Sequence, residues 1–172
     1  MKYKIPLFIF ILTLLPSIAF GQQYKVVRVY DGDTVIAIDS HDQKIKVRLV
    51  GIDAPERSRK KRQPGQPFST KATKYLASLV LNKKVSIRNY GKGWYGRMLG
   101  EIFVGNTNVN LEMVKAGYAE NYRGRPAHGF NTVPYKEAER EARENSRGMW
   151  SLGAKFVSPK AWRKAHRHHT SS

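Results

Sequence analysis

Three strand-like runs follow one another with only turns between them, and no helical pattern interrupts until Pro67. Residues 24–30 are built around Val26, Val27 and Val29, and residues 34–38 form a second apolar run. Residues 44–50 alternate with period two, placing Ile45, Val47 and Leu49 on one face and Lys44, Lys46 and Arg48 on the other. If the apolar set packs inward, Arg48 points outward in a basic strip suited to a phosphate backbone. Residues 67–81 then show helical spacing, with Phe68, Ala72, Tyr75, Leu76, Leu79 and Val80 as the apolar face. Strands are expected at 85–87 and 98–104. A short helix follows, capped by Asn110 and ended by Gly117, and a longer one runs from Pro134 towards Gly148. The longer helix offers Tyr135, Ala138 and Ala142 for close docking, while its charged residues from Glu137 to Glu144 are expected in solvent. Strands first and helices later do not make the alternation of a parallel α/β sheet. The order suits an α+β fold, a small Greek-key barrel with helices against it. No repeat and no second domain is visible.

The chain has 172 residues and a formal net charge of +18, from 31 Lys and Arg against 13 Asp and Glu. Residues 1–21 read as a secretory signal peptide. Lys2 and Lys4 precede an apolar stretch at 5–15 that is short for a bilayer span, and Ala19 and Gly21 suit a cut before Gln22. An uncleaved N-terminal anchor is the alternative. Cleavage removes two lysines and no acid, so the charge falls from +18 to +16. That charge draws polyanions with strong salt dependence, although a membrane surface or cell-wall polymer would feel the same attraction. There is no cysteine, so neither a disulfide nor a lipidated cysteine is possible. Residues 155–172 contain no acid and are expected as a mobile basic tail, with His166, His168 and His169 a weak candidate for a transition metal. His41 and His128 fall in turns.

Four of the 13 acids lie in two short stretches, Asp31-Gly32-Asp33-Thr34 and Arg48-Leu49-Val50-Gly51-Ile52-Asp53-Ala54-Pro55-Glu56. Carboxylates that close repel unless a cation neutralises them, and hard oxygen ligands select Ca²⁺ or Mg²⁺. Asp-Gly is also a common turn signal, so the first stretch alone reads equally well as a polar turn. The second stretch and a later Tyr95-Gly96-Arg97 favour an acidic metal pocket in a basic protein, built to process a polyanion.

These motifs, with Met98-Leu99-Gly100 after the arginine and Gly148-Met149-Trp150-Ser151 near the end, resemble the staphylococcal (micrococcal) nuclease family in order and spacing. The resemblance covers roughly residues 23–152 and implies an OB-fold barrel of five strands with about three helices, hence a nuclease domain at 22–154. It implies a Ca²⁺ held by Asp33, Asp53 and the backbone carbonyl of Ala54, where the family usually has threonine. Asp31 would act one shell out, Glu56 would serve as the base, and Arg48 and Arg97 would grip charge at phosphorus. The implied activity is a secreted or periplasmic, sugar-nonspecific nuclease cleaving DNA and RNA to 3′-phosphate ends. The chain would be a monomer with no stable membrane association after signal cleavage. Gly93-Trp94 replaces the family's frequent Asp-Lys, removing a phosphate-binding lysine and offering Trp94 for stacking. Tyr95 and Tyr122 are further candidate substrate contacts. Tyr118 is either another or a core aromatic. Arg59, Lys60 and Lys61 belong to a basic loop that either grips nucleic acid or is simply solvated. The main rival is a non-catalytic nucleic-acid-binding barrel; a cationic cell-envelope protein explains the charge but not the carboxylates.

Overall fold

The structure, a computed structural model, describes residues 22–58 and 64–166. The strands are β1 (Gln23–Asp31), β2 (Thr34–Ile38), β3 (Lys44–Leu49), β4 (Ile52–Asp53), β5 (Lys84–Lys92), β6 (Met98–Val104), β7 (Thr107–Asn108) and β8 (Glu120–Asn121). The helices are α1 (Ser69–Val80), α2 (Val109–Lys115), α3 (Val133–Glu144) and α4 (Pro159–Ala165), with 3₁₀ segments at Trp94–Gly96 and Gly148–Lys155.

The main sheet runs β3-β2-β1-β5-β6, and a parallel pairing of β3 with β6 closes it into a five-stranded barrel. This is the OB-type barrel expected from the strand order. β7 turns back on β6, and β4 pairs with β8 beside the barrel. The interior is Val26, Val35, Ala37, Val47, Leu49, Val85 and Ile102, all essentially inaccessible to solvent. Ala72, Leu76 and Val80 of α1 are likewise fully buried, so the predicted helical face is the one used. Phe68 is an exception. It precedes α1 in left-handed backbone (φ 68°) and packs with Trp150 and Phe156 in a smaller cluster.

Three further expectations are corrected by the local chemistry. β5 is far longer than 85–87, because its outer half pairs with β6. The cap of α2 is Asn108, whose side chain accepts from Leu111 N at 3.1 Å. Asn110 is instead fully buried. Its amide nitrogen donates to the carbonyls of Val50 and Gly100, both at 2.9 Å, and its oxygen accepts from Ile102 N at 3.0 Å. One side chain thus meets three backbone groups where β3 runs into β4 beside β6, one of which, Gly100 O, also accepts from Val50 N at 3.0 Å. On α3, Tyr135, Ala138 and Ala142 dock as expected, but Glu139 is buried among them rather than solvated. It accepts from Asn121 N and is ion-paired with Arg123 and Arg143.

The segment read as a mobile basic tail carries α4. Ser158 caps it by accepting from Ala161 N at 3.1 Å, and Phe156 packs on Trp150 with ring centroids 4.4 Å apart. Residues 167–172 lie outside the described residues, as do residues 1–21, read above as a signal peptide, and residues 59–63. Among the described residues no helix is long and apolar enough to cross a membrane.

Candidate active site

The first acidic stretch is the turn from β1 into β2. Asp31 Oδ1 accepts from Asp33 N at 3.2 Å, which fixes the turn. Gly32 between them does not have a positive φ. Its role is space. A Cβ there would sit 2.7 Å from the Ala54 Cβ and 2.9 Å from the Ala72 Cβ, so glycine lets α1 and the β4 segment close on the turn. At Gly51 both factors apply: φ is +78° and a Cβ would strike the Phe130 ring.

Asp33 and Asp53 are both buried, and Arg48 joins them. Its Nη1 lies 2.6 Å from Asp33 Oδ2 and its Nη2 lies 3.2 Å from Asp53 Oδ1. Arg48 does leave β3 on the face opposite Val47 and Leu49, but its side chain is only 15% exposed, because the two carboxylates cover it. The expected outward strip of three cations is therefore broken, with Lys46 lying over the Tyr30 ring. Asp33 Oδ1 also accepts from Thr34 Oγ1, and Oδ2 accepts from Ala54 N at 3.0 Å. Burial pushes the Asp33 carboxyl up to about 7 against the pull of Arg48. Burial also works against the Arg48 charge, but Asp33 and Asp53 outweigh it and hold that group above its ordinary pKa. This is a carboxylate pair short of positive charge.

Glu56 is placed by a residue the sequence reading missed. Buried Gln66 accepts from Glu56 N through Oε1 at 3.0 Å, donates its own N–H to Glu56 O at 2.9 Å, and donates through Nε2 to Val157 O at 2.7 Å. A second missed residue is Arg163 of α4. Its guanidinium donates to both Asp53 oxygens, at 2.9 and 2.7 Å, and to Glu56 Oε1 at 2.6 Å. The hydrogen bonds to Asp53, then its charge, raise the Arg163 pKa above its ordinary value. No local motif marks either residue, because the contacts to Arg163 span more than a hundred positions.

A cavity of about 670 Å³ brings Asp31, Asp33, Arg48, Glu56 and Arg97 together, with Tyr122 on its wall. A second cavity of about 630 Å³ is lined by Asp53, Arg123, Lys160 and Lys164. Tyr122 and Arg163 line both and so form the partition between them. Tyr95 is not part of either wall; it stands 95% exposed. Tyr118 packs on Tyr75 and is a core aromatic. The side chain of Trp94, and Arg59, Lys60 and Lys61 entirely, lie outside what the structure describes.

The donor set fits a hard divalent cation. Asp33 and Asp53 present carboxylate oxygens, and a guanidinium seated on Asp53 shows that the position accepts positive charge. Among the described residues no group of three or more ligating side chains assembles. The remaining ligands would therefore be backbone carbonyl, water and substrate oxygens.

A closed five-stranded barrel with a cation-seeking carboxylate pair and two arginines on its rim defines a phosphate-handling OB-fold protein. Residues 46–152 match the model of the staphylococcal nuclease homologue family. The chain is 38% identical over 165 residues to an uncharacterized endonuclease of Escherichia coli O157:H7, covering 95% of this chain and 98% of that protein. It is 35% identical over 140 residues to one of Haemophilus influenzae, covering 81% and 72%. A probable endonuclease LCL3 of Clavispora lusitaniae is 34% identical over 178 residues, covering 86% and 76%. The chain belongs to the staphylococcal nuclease family.

Proposed function

We propose that this protein is a Ca²⁺-dependent, sugar-nonspecific nuclease, exported by its N-terminal segment to the periplasm or beyond. As a monomer it hydrolyses DNA and RNA to 3′-phosphate ends. The observation that carries the reading is the convergence of Asp33, Arg48, Glu56 and Arg97 on one cavity, with Asp53 tied in through Arg48.

Asp33, Asp53 and the carbonyl of Ala54 would hold the ion, and Asp31 keeps the turn in shape for Asp33. Bound Ca²⁺ supplies positive charge to the phosphate oxygens as a Lewis acid. Glu56, held by Gln66, takes a proton from the attacking water. The water oxygen then bonds to phosphorus and the 5′-O–P bond breaks, the leaving oxygen gaining a proton from solvent. Arg48 and Arg97 meet the charge developing on the phosphoryl oxygens as planar forks. Arg97 is assigned to charge stabilisation rather than proton donation, since an arginine pKa above about 12 resists proton loss.

Digestion of DNA and RNA by the mature chain with Ca²⁺, Mg²⁺ or chelator tests the reading. Ca²⁺-dependent cleavage with 3′-phosphate ends is expected. Glu56→Gln should lower turnover by about 10²- to 10⁴-fold while leaving nucleic-acid binding in place. Binding without cleavage by the wild type would favour the non-catalytic barrel.

A further inference from the structure

We propose that α4 is an autoinhibitory strap: Arg163 occupies the cation position of the site, and Ca²⁺ must displace it before the enzyme can act. The inference rests on the metal reading above and adds a competitor within the chain.

One guanidinium blocks two functions at once. It takes both oxygens of Asp53, and it engages the Glu56 oxygen that would accept the proton from water. Its position is that of a stand-in cation, since Asp33 and Asp53 would otherwise share the single charge of Arg48 in a buried site. Arg163 also lines both cavities, so its departure uncovers Asp53 on one side and Glu56 on the other.

The strap is built to leave. α4 has seven residues, of which only Pro159 is buried, and the Arg163 side chain is 36% exposed. It is tethered by the Ser158 cap, the Phe156–Trp150 contact and the Gln66–Val157 hydrogen bond. So short a helix has little intrinsic stability, and segments with few buried contacts open at low free energy. The strap regulates the site without being part of its catalytic set.

Calorimetry of Ca²⁺ binding to the mature wild type, Arg163→Gln and Ser158→Ala tests the proposal. Ser158→Ala frays α4 without touching a carboxylate, and so covers the case in which Arg163→Gln folds poorly. Arg163→Gln should tighten Ca²⁺ binding about tenfold, within the usual range for coupled sites, and Ser158→Ala should tighten it less. In the wild type, Ca²⁺ should speed tryptic cleavage after Lys160 and Lys164, and in both variants that cleavage should be fast without Ca²⁺. Ca²⁺ binding that is unchanged or weaker in folded Arg163→Gln and in Ser158→Ala would overturn the strap while leaving the metal reading intact. So would a hundredfold loss of turnover in Arg163→Gln at saturating Ca²⁺, which would make Arg163 catalytic. No Ca²⁺ binding by any of the three would overturn the metal reading and the strap with it.

Discussion

Glu120 offers a measurement of how much stability the site gives up to keep its carboxylates together. It lies on β8 directly opposite Asp53 of β4, is 1% exposed, and its Oε1 has no hydrogen-bond partner among the described residues. Burial, opposed by Arg123 and reinforced by Asp53, pushes its carboxyl up from 4.5 to about 7. Between those values the folded state binds a proton that the unfolded chain has released, so stability falls as pH rises. The group's favourable contribution is full below about 4.5, and above about 7 it is lost and the curve is flat. At 1.36 kcal/mol per pH unit, the shift corresponds to about 3 kcal/mol. Glu120→Gln keeps the shape and removes the titration. Urea unfolding in chelator at several pH values should give equal stabilities near pH 4.5. The variant should gain steadily to about 3 kcal/mol at pH 8. Asp33 is present in both proteins and cancels in the difference, while the effect of Asp53 is carried in the Glu120 shift itself. Parallel stability curves across that range would refute the reasoning.

Arg48→Lys and Arg97→Lys keep charge but lose the paired donors, so each should lower kcat far more than it weakens DNA binding; steady-state kinetics showing only a KM change would make them ordinary phosphate contacts. Asn110→Ala takes their side-chain partner from Ile102 N and Val50 O, while Gly100 O keeps Val50 N; at about 1–3 kcal/mol for each buried group left unmet, a loss of about 2–4 kcal/mol is expected in urea unfolding. A loss below about 1 kcal/mol would mean that water replaces the amide.

The barrel was legible because strand periodicity and element order are local properties, and so were Asp33, Arg48, Asp53, Glu56 and Arg97, which sit in short motifs. The misreadings share a cause. Arg48 was placed outside correctly by alternation, but alternation says nothing about which carboxylates fold over it. Asn110 looked like a cap because capping is judged within one turn, whereas its partners lie at Val50 and Gly100. Glu139 looked solvated because its neighbours on α3 are charged, yet Arg123 and Asn121 reach it from β8 and the loop beyond. Gln66 and Arg163 carry no motif at all, and a tail without acids gives no sign that one of its arginines ends on an acidic site. Contacts between distant segments are set by the assembled barrel.

The seam between β3 and β6 governs the order in which this molecule can acquire its properties. Its partners, such as Val47 with Met98 and Arg48 with Leu99, are separated by about fifty residues, whereas the β1–β2 and β2–β3 hairpins close over a few. Pairings that enclose long loops form late, because the closure entropy must be met before the contact repays it. Arg97, one residue before β6, comes to Arg48 only with that seam. The charge that attracts polyanions comes with the sequence itself, while the geometry that cuts them arrives only with long-range contacts such as this seam. Nascent and misassembled chains are therefore adhesive but harmless to nucleic acid.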